Sequence, residues 1–527
     1  MFKLRYPALA LVFALFGAVA ALGVYMYYVP LPNDAMARGE ALGDDRRAWL
    51  NRSMSEVFPV RTVAKPVVSQ PLPERSGALE GFSFRHAGSD LSIDDLHERQ
   101  DMLGLVVLKD GAVVHESYGP GAGPGTLFTT WSVVKSLTST LVGLAVQDGY
   151  IGSVDEPLTA YLPELRGTAY DGVTIRQALQ MSSGVTFDVD GGSDTVALLT
   201  DSAITGKRSA FEIAMDYPRG AEPGTVFNYN TAETQVLLEL VRRVTGETAS
   251  AYMSEKLWQP LGMAYSGAWV LDGPGQEGAE IGGAMFNAAL RDWARFGQFI
   301  AQDGVWEGKR LLPEGWVEAA TVTTEAHVDH GKVHPDEELG YGWQWWTRAD
   351  GTFQAAGAYG QLIYVDPAGG LVIAKASAWP EARVGAYAEE VTAMARALAV
   401  WDFGDAGVDP AADIVDPGSQ SPVAETAAAA PVTQLPAQQV AVPRQVEEPV
   451  PAEVEPASAA VDQAPSAPPS IKPEDTELTS ASEPDGAPVE GQPEPEVAIA
   501  EAAPDPEDGM GVAESRFILP GEDQDSP

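Results

Sequence analysis

Ser132-Val-Val-Lys135 follows Leu127-Phe-Thr-Thr-Trp131 and leads into Ser136-Leu-Thr-Ser-Thr-Leu-Val-Gly-Leu-Ala-Val146. It is the sole Ser-x-x-Lys among 527 residues. Residues three apart share one face of a helix, with Cβ atoms about 5–6 Å apart. The spacing therefore sets a hydroxyl beside an amine at the head of a helix, where the helix dipole favours negative charge. A serine hydroxyl becomes a useful nucleophile when a neighbour takes its proton. A lysine can do so once burial or another cation lowers its pKa. The run after Lys135 is apolar or small on most sides, which predicts a central helix and a lysine at least partly desolvated. The stretch thus points to a covalent serine enzyme with Ser132 as nucleophile and Lys135 as its activator.

Working outward, two pairs of β-rich segments bracket a helical middle. Leu103 to Leu108 and Ala112 to Tyr118 flank Lys109-Asp110-Gly111, and Gln361 to Val365 and Leu371 to Ser377 flank Asp366-Pro-Ala-Gly-Gly370. Both patterns are hairpin signals. Thr174 to Met181, Glu233 to Thr245, Ala288 to Gln302 and Val384 to Val400 carry helical periodicity. Strands at both ends with helices between them predict an α+β fold, an antiparallel sheet flanked by helices with a mostly helical lobe. Gly-x-Ser-x-Gly does not occur, which removes the strand-to-helix nucleophile elbow.

A serine–lysine pair needs a further proton carrier and donors for an oxyanion. Glu222-Pro-Gly-Thr-Val-Phe-Asn-Tyr229 makes a turn and ends on a tyrosine just before a helix near Thr231. Tyr229 is the candidate acid/base, provided nearby cations favour its phenolate. Gly340-Tyr-Gly-Trp343-Gln-Trp-Trp346 brings aromatics ahead of the second hairpin, with Trp343 the candidate for lining a substrate cleft. His327, His330 and His334 share a stretch interrupted by Gly331 and Pro335 and read as a solvated loop, so no metal or other cofactor is expected.

Composition narrows the function classes. The chain contains no cysteine, which excludes disulfides, thiol catalysis and Cys-ligated zinc. The net charge of -42 argues against nucleic acid as a partner. Lys3 and Arg5 precede an apolar run from Pro7 to Val29, about the 20 residues that span a bilayer. Tyr25, Tyr27 and Tyr28 suit the far interface. The run is expected to be a signal anchor in the inner membrane, crossed once, with the catalytic domain outside the cytoplasm. Ala18-Val-Ala20 keeps a cleaved signal peptide as the alternative. Residues 30–78 are expected as linker and lead-in, and 79–404 as the enzyme domain. From 405 to 527, 26 acidic residues stand against three basic ones amid Pro and Ala, the composition of a disordered tail. Such a tail is a candidate site for a protein partner, and Arg516-Phe-Ile-Leu-Pro520 is its one apolar island.

Five ordered segments resemble the serine β-lactamase and penicillin-binding-protein superfamily on its class C and esterase side. They are Ser132 to Lys135; Asp148 to Pro157 with Tyr161 to Glu164; Ile175 to Gly184; Pro223 to Tyr229; and Gly357-Ala-Tyr-Gly-Gln-Leu-Ile-Tyr-Val-Asp-Pro367. The resemblance covers about residues 80–400. It implies two lobes with the site between them, Ser132 acylated, Lys135 activating it, and Tyr229 as acid/base. It further implies an oxyanion hole made by the backbone N–H groups of Ser132 and Ala358, with Gly357 and Tyr359 beside the substrate. Two motifs depart from the family pattern. Tyr229-Asn230-Thr231 lacks the usual third-position amide, and Ala355-Ala356-Gly357 lacks the cation that helps hold a β-lactam carboxylate. Tyr-Asn-Thr combined with Gly-x-Tyr-Gly-Gln looks more like the 6-aminohexanoate-dimer hydrolase branch. The expected activity is hydrolysis of a small amide or ester substrate through an acyl-serine. The alternatives are a penicillin-interacting DD-carboxypeptidase or weak β-lactamase and, in another class, a non-catalytic cell-wall-peptide-binding or scaffold protein.

Overall fold

The computed structural model describes residues 47–404 apart from 76, 189–192, 274–276, 335 and 337. The expected anchor at 7–29 and the acidic tail lie outside the described residues. Among the described residues no helix is long and apolar enough to cross a membrane.

A seven-stranded antiparallel sheet forms one side of the domain. Its strands are β1 (Met102–Lys109), β2 (Ala112–Tyr118), β3 (Gly340–Tyr341), β4 (Trp346–Thr347), β5 (Phe353–Gly357), β6 (Gln361–Asp366) and β7 (Leu371–Ser377), in the spatial order β3-β4-β5-β6-β7-β1-β2. Both expected hairpins are present, with Val107 paired to His115 and Tyr364 to Ile373. In the first, Asp110 and Gly111 both have left-handed φ, 52° and 80°. That turn matches the twist of the strands it joins. The pairing of β7 with β1 joins an early and a late stretch of the domain within one sheet, with a long helical segment between them in sequence.

Five helices matter to the site: α1 (Arg47–Val57), α2 (Val134–Gln147), α3 (Thr231–Thr245), α4 (Leu290–Ala301) and α5 (Gly385–Ala399). α4 packs on one face of the sheet, against β7, β6 and β1. α5 packs on the other face, where Val391, Met394 and Leu398 share a core with Leu105, Val107 and Ile373. α2 is buried from Val134 to Ala145, as its lack of a polar face predicts. Gly143 permits this depth, since a Cβ there would stand 2.6 Å from the Trp316 ring. α3 lies against α2 and begins at Asn230, whose Oδ1 accepts the Glu233 N–H at 3.1 Å.

The segment expected as lead-in contributes to this core. Leu50 and Met54 of α1 and Phe58 are buried in the main apolar cluster. The strand Val60–Val63 joins Gly267–Val270, Phe286–Ala288 and Phe128–Thr129 in a second, four-stranded antiparallel sheet. Phe128–Thr129 delivers the chain directly to Trp131 and Ser132.

Candidate functional site

Ser132 lies in a 3-10 turn, Trp131–Val133, at the entrance to α2. It is partly exposed and opens onto a cavity of about 1230 Å³. Lys135, one helical step on, is 1% exposed. Its Nζ donates to Ser132 Oγ at 3.1 Å, to Thr231 Oγ1 at 3.3 Å and to the Gly283 carbonyl at 2.6 Å. Burial, with a smaller contribution from Arg383, lowers its pKa from 10.5 to about 7. The neutral amine is therefore within reach near neutral pH, and its bonds to Thr231 and Gly283 hold it beside Ser132.

Tyr229 stands on the turn before α3, its ring centroid 5.0 Å from Lys135 Nζ. Trp346 stacks on it at 5.4 Å, and Tyr341 meets it edge-on at 6.0 Å. It is half-buried and lines the cavity, with its phenol desolvated by the surrounding protein. That desolvation pushes its pKa up to about 12, against the opposing pull of a hydrogen bond with Ser132 and the charge of Arg383. At neutral pH Tyr229 is a neutral phenol. Of the two, Lys135 is the group free to take a proton, and Tyr229 is the group able to pass one.

The end of β5 completes the site. A Cβ on Gly357 would lie 2.5 Å from the Thr130 carbonyl and 3.1 Å from the Ser132 nitrogen. This close approach sets the short turn Ala358–Gly360 against the Ser132 turn. Trp131 and Tyr359 both adopt left-handed φ, 45° and 62°. For bulky side chains such backbone costs about 1–3 kcal/mol each. Their rings pack together, centroids 5.2 Å apart. Gln361 Nε2 donates to the Ser377 carbonyl at 2.7 Å, and Lys375 Nζ donates to Ser377 Oγ at 2.6 Å and to the Gly360 carbonyl at 3.2 Å. Lys375 is fully buried, and burial lowers its pKa to about 7. These bonds tie the Ala358–Gly360 turn to β7.

The structure thus brings Ser132, Lys135, Tyr229, Gly357, Ala358 and Tyr359 together. Trp343 is elsewhere: it is buried against Trp316 at 4.9 Å with the Arg176 guanidinium over its other side, away from the cavity lining. Trp346 lines the cavity in its place. The cause is the turn between β3 and β4. Gln344 has φ 65° and is locked by bonds from its Nε2 to the Ala178 and Leu179 carbonyls. Among the described residues, no cluster of three or more His, Asp or Glu is placed to hold a metal. His334 instead meets Trp346 edge-on at 5.2 Å.

The chain matches the Beta-lactamase family model over residues 91–397. The chain belongs to the beta-lactamase family. It is 30% identical over 348 residues to the 6-aminohexanoate-dimer hydrolase of Paenarthrobacter ureafaciens, across 63% of this chain and 86% of that protein. A solved structure from Bacillus anthracis, a candidate 6-aminohexanoate-dimer hydrolase, superposes with a TM-score of 0.62 at 25% identity, covering 68% of this chain and 95% of that one. A Beta-lactamase of Pseudomonas fluorescens is 24% identical over 187 residues, 34% of this chain and 49% of that protein. The fold is that of the beta-lactamase and transpeptidase group, and the protein is a serine hydrolase of the beta-lactamase family.

The two departures from the family's motifs are legible in the geometry. Thr231, where the family pattern has an amide, accepts a hydrogen bond from Lys135 at its hydroxyl oxygen. Ala355 and Ala356 bring no cation, but Arg383 lies at the cavity mouth and lowers the pKa of both Lys135 and Tyr229. It is carried by the loop between β7 and α5, which is bonded to Tyr359 through Tyr359 N–H to the Ala382 carbonyl at 3.0 Å. Arg383 and Trp346 are the site residues that the sequence reading left out. The tryptophan cluster was the one signal available for Trp346, and no motif marked Arg383.

Proposed function

We propose that this enzyme cleaves a small amide or ester by forming an acyl-enzyme on Ser132. The observation that carries the reading is the buried Lys135 amine, 3.1 Å from Ser132 Oγ and held near neutrality by its surroundings. In the first step Ser132 Oγ attacks the substrate carbonyl, and the Ser132 proton passes to neutral Lys135. The backbone N–H groups of Ser132 and Ala358 receive the oxyanion. The carbon–nitrogen or carbon–oxygen bond then breaks. The leaving group takes the Tyr229 proton, and Lys135 returns its proton to the phenol. In the second step water attacks the ester carbonyl, giving one proton to the Tyr229–Lys135 pair, and Ser132 Oγ leaves and recovers it. The carboxylic acid departs, and no cofactor enters the cycle.

Trp131, Tyr359, Trp346, Val196 and Leu199 give the cavity aromatic and aliphatic walls, which suits a substrate with an apolar body. A fluorophosphonate probe tests the reading. A stoichiometric adduct on Ser132, found by mass spectrometry and lost in Ser132→Ala, is the expected result; a folded chain without adduct would overturn it. Arg383 favours one second reading, a carboxylate-bearing penicillin as acylating agent, and labelling by a fluorescent penicillin tests it.

The apolar run at 7–29 behind Lys3 and Arg5 supports a membrane anchor with the domain, which includes residues 47–63, outside the cytoplasm and an acidic tail from 405 onward. Fractionation of a C-terminally tagged full chain checks this. Recovery of the tag in the soluble fraction would sink the anchor.

A further inference from the structure

We infer that Asn51, on α1, is a positioning residue for the nucleophile and acts through Trp131. The inference rests on the reading of Ser132 as the acylated residue. Trp131 precedes Ser132, and its left-handed φ of 45° determines where the Ser132 N–H and side chain point. A bulky aromatic does not hold that conformation unaided. Two contacts hold it here. One is the Tyr359 ring; the other is a hydrogen bond from the indole Nε1–H to Asn51 Oδ1, 2.6 Å long. Both partners are buried, Asn51 at 1% and Trp131 at 8% exposure. An indole N–H seated there has no water to turn to, so the bond sets the ring's rotation as well as its depth.

Asn51 is itself oriented. Its Nδ2 donates to the Arg47 carbonyl at 3.0 Å, which fixes which way the amide faces and presents Oδ1 to Trp131. Arg47 in turn donates from Nε to the Ala378 carbonyl at 3.3 Å, just past the end of β7, and its charge is felt by Tyr359. One helix therefore holds the residue before Ser132 directly and is tied to the chain just past β7, with its Arg47 charge acting on Tyr359. This helix lies before residue 91, where the family match begins, and far from any recognised motif. Leu50 and Met54 already anchor α1 in the core. The polar residue Asn51 is not needed for that anchoring, and its partner is the residue next to Ser132.

The test is a double-mutant cycle on the full chain, read as the rate of fluorophosphonate capture at Ser132 and as melting temperature. Asn51→Leu removes the acceptor at similar volume, and Trp131→Phe removes the donor but keeps a ring against Tyr359. Each is expected to slow capture by roughly tenfold to a hundredfold, the scale on which a displacement of about 1 Å acts. The double variant is expected to be no slower than the slower single variant, because both changes break one bond. If Asn51→Leu does not fold, Trp131→Phe carries the test by itself. Capture at the wild-type rate in folded variants would overturn the inference and leave the Ser132 reading intact, and so would fully additive losses. A wild-type chain that takes no label on Ser132 would overturn both.

Discussion

Trp131 and Tyr359 face each other across the site, 5.2 Å between ring centroids, and both have left-handed backbone. One precedes Ser132 and the other follows Ala358, so the two strained turns that present these residues are packed against each other. Strain at two facing turns is retained only where surrounding packing over-determines it. Here that packing comes from α1, from the Gln361–Ser377–Lys375 bonds and from the loop that carries Arg383.

On the proposed mechanism, Lys135 sets the acid side of the activity. With a pKa near 7, it is a competent base above that pH and an ammonium below it. Capture of the probe is expected to rise with pH through a midpoint near 7, and Lys135→Met should be slow at every pH. The positive charge of Arg383 disfavours the ammonium. Arg383→Ala therefore raises the Lys135 pKa and moves the acid limb to higher pH. A limb that stays in place or moves lower would separate Arg383 from Lys135.

Tyr229→Phe removes one oxygen from a ring that Trp346 and Tyr341 continue to hold. Turnover should fall by about 10²–10⁴, the range for loss of a positioned acid/base. The melting temperature should change little. Comparing kcat with thermal unfolding for the same preparation checks both halves.

Gly357→Ala tests the close approach. Its φ of -129° is open to any residue, so the effect is steric. The new methyl meets the Thr130 carbonyl at 2.5 Å and the Ser132 nitrogen at 3.1 Å. The variant should lose about 1–3 kcal/mol of stability, as overpacked sites do, and most of its activity, because the displaced atoms carry Ser132. Denaturant unfolding and probe capture report the two losses.

Glu233, in the first turn of α3, accepts from Ser183 Oγ at 2.7 Å in a fully buried setting, and burial raises its pKa from 4.5 to about 8. A raised carboxyl binds its proton more tightly in the folded chain. Its contribution is present below pH 4.5 and lost as pH rises through 8. The whole shift corresponds to several kcal/mol at about 1.4 kcal/mol per pKa unit. Glu233→Gln removes that loss. The variant should melt near the wild type at pH 5 and above it at pH 9. Lys135 and Lys375 act in the opposite sense between about pH 7 and 10.5, where the unfolded chain binds the extra protons. They do so in both proteins, so the variant-minus-wild-type difference isolates Glu233.

Local patterns carried the sequence reading a long way. Asp110-Gly111 announced its hairpin because few other pairs accept two left-handed residues in succession. Ser132 and Lys135 were legible because helical spacing brings them together, and Tyr229 because a Pro-Gly turn precedes it and a helix starts just after it. Trp343 and Trp346 could not be told apart. Three tryptophans within four positions look equivalent, and the left-handed turn at Gln344 decides which one meets the cleft.

The sequence by itself determined the two hairpins, the main helices between and after them, the pairing of Ser132 with Lys135 and the family to which they point, since each depends on short stretches of local pattern. The tertiary structure alone decided that Asn51 braces Trp131, that Arg383 stands where the motif strand offers only Ala355 and Ala356, and that Lys135 is dry enough to lose its proton near pH 7. Those relationships join residues far apart in the chain, Asn51 to Trp131 by 80 positions and Lys135 to Arg383 by 248. They come from sheet closure and core packing, which place distant side chains side by side without leaving a local pattern.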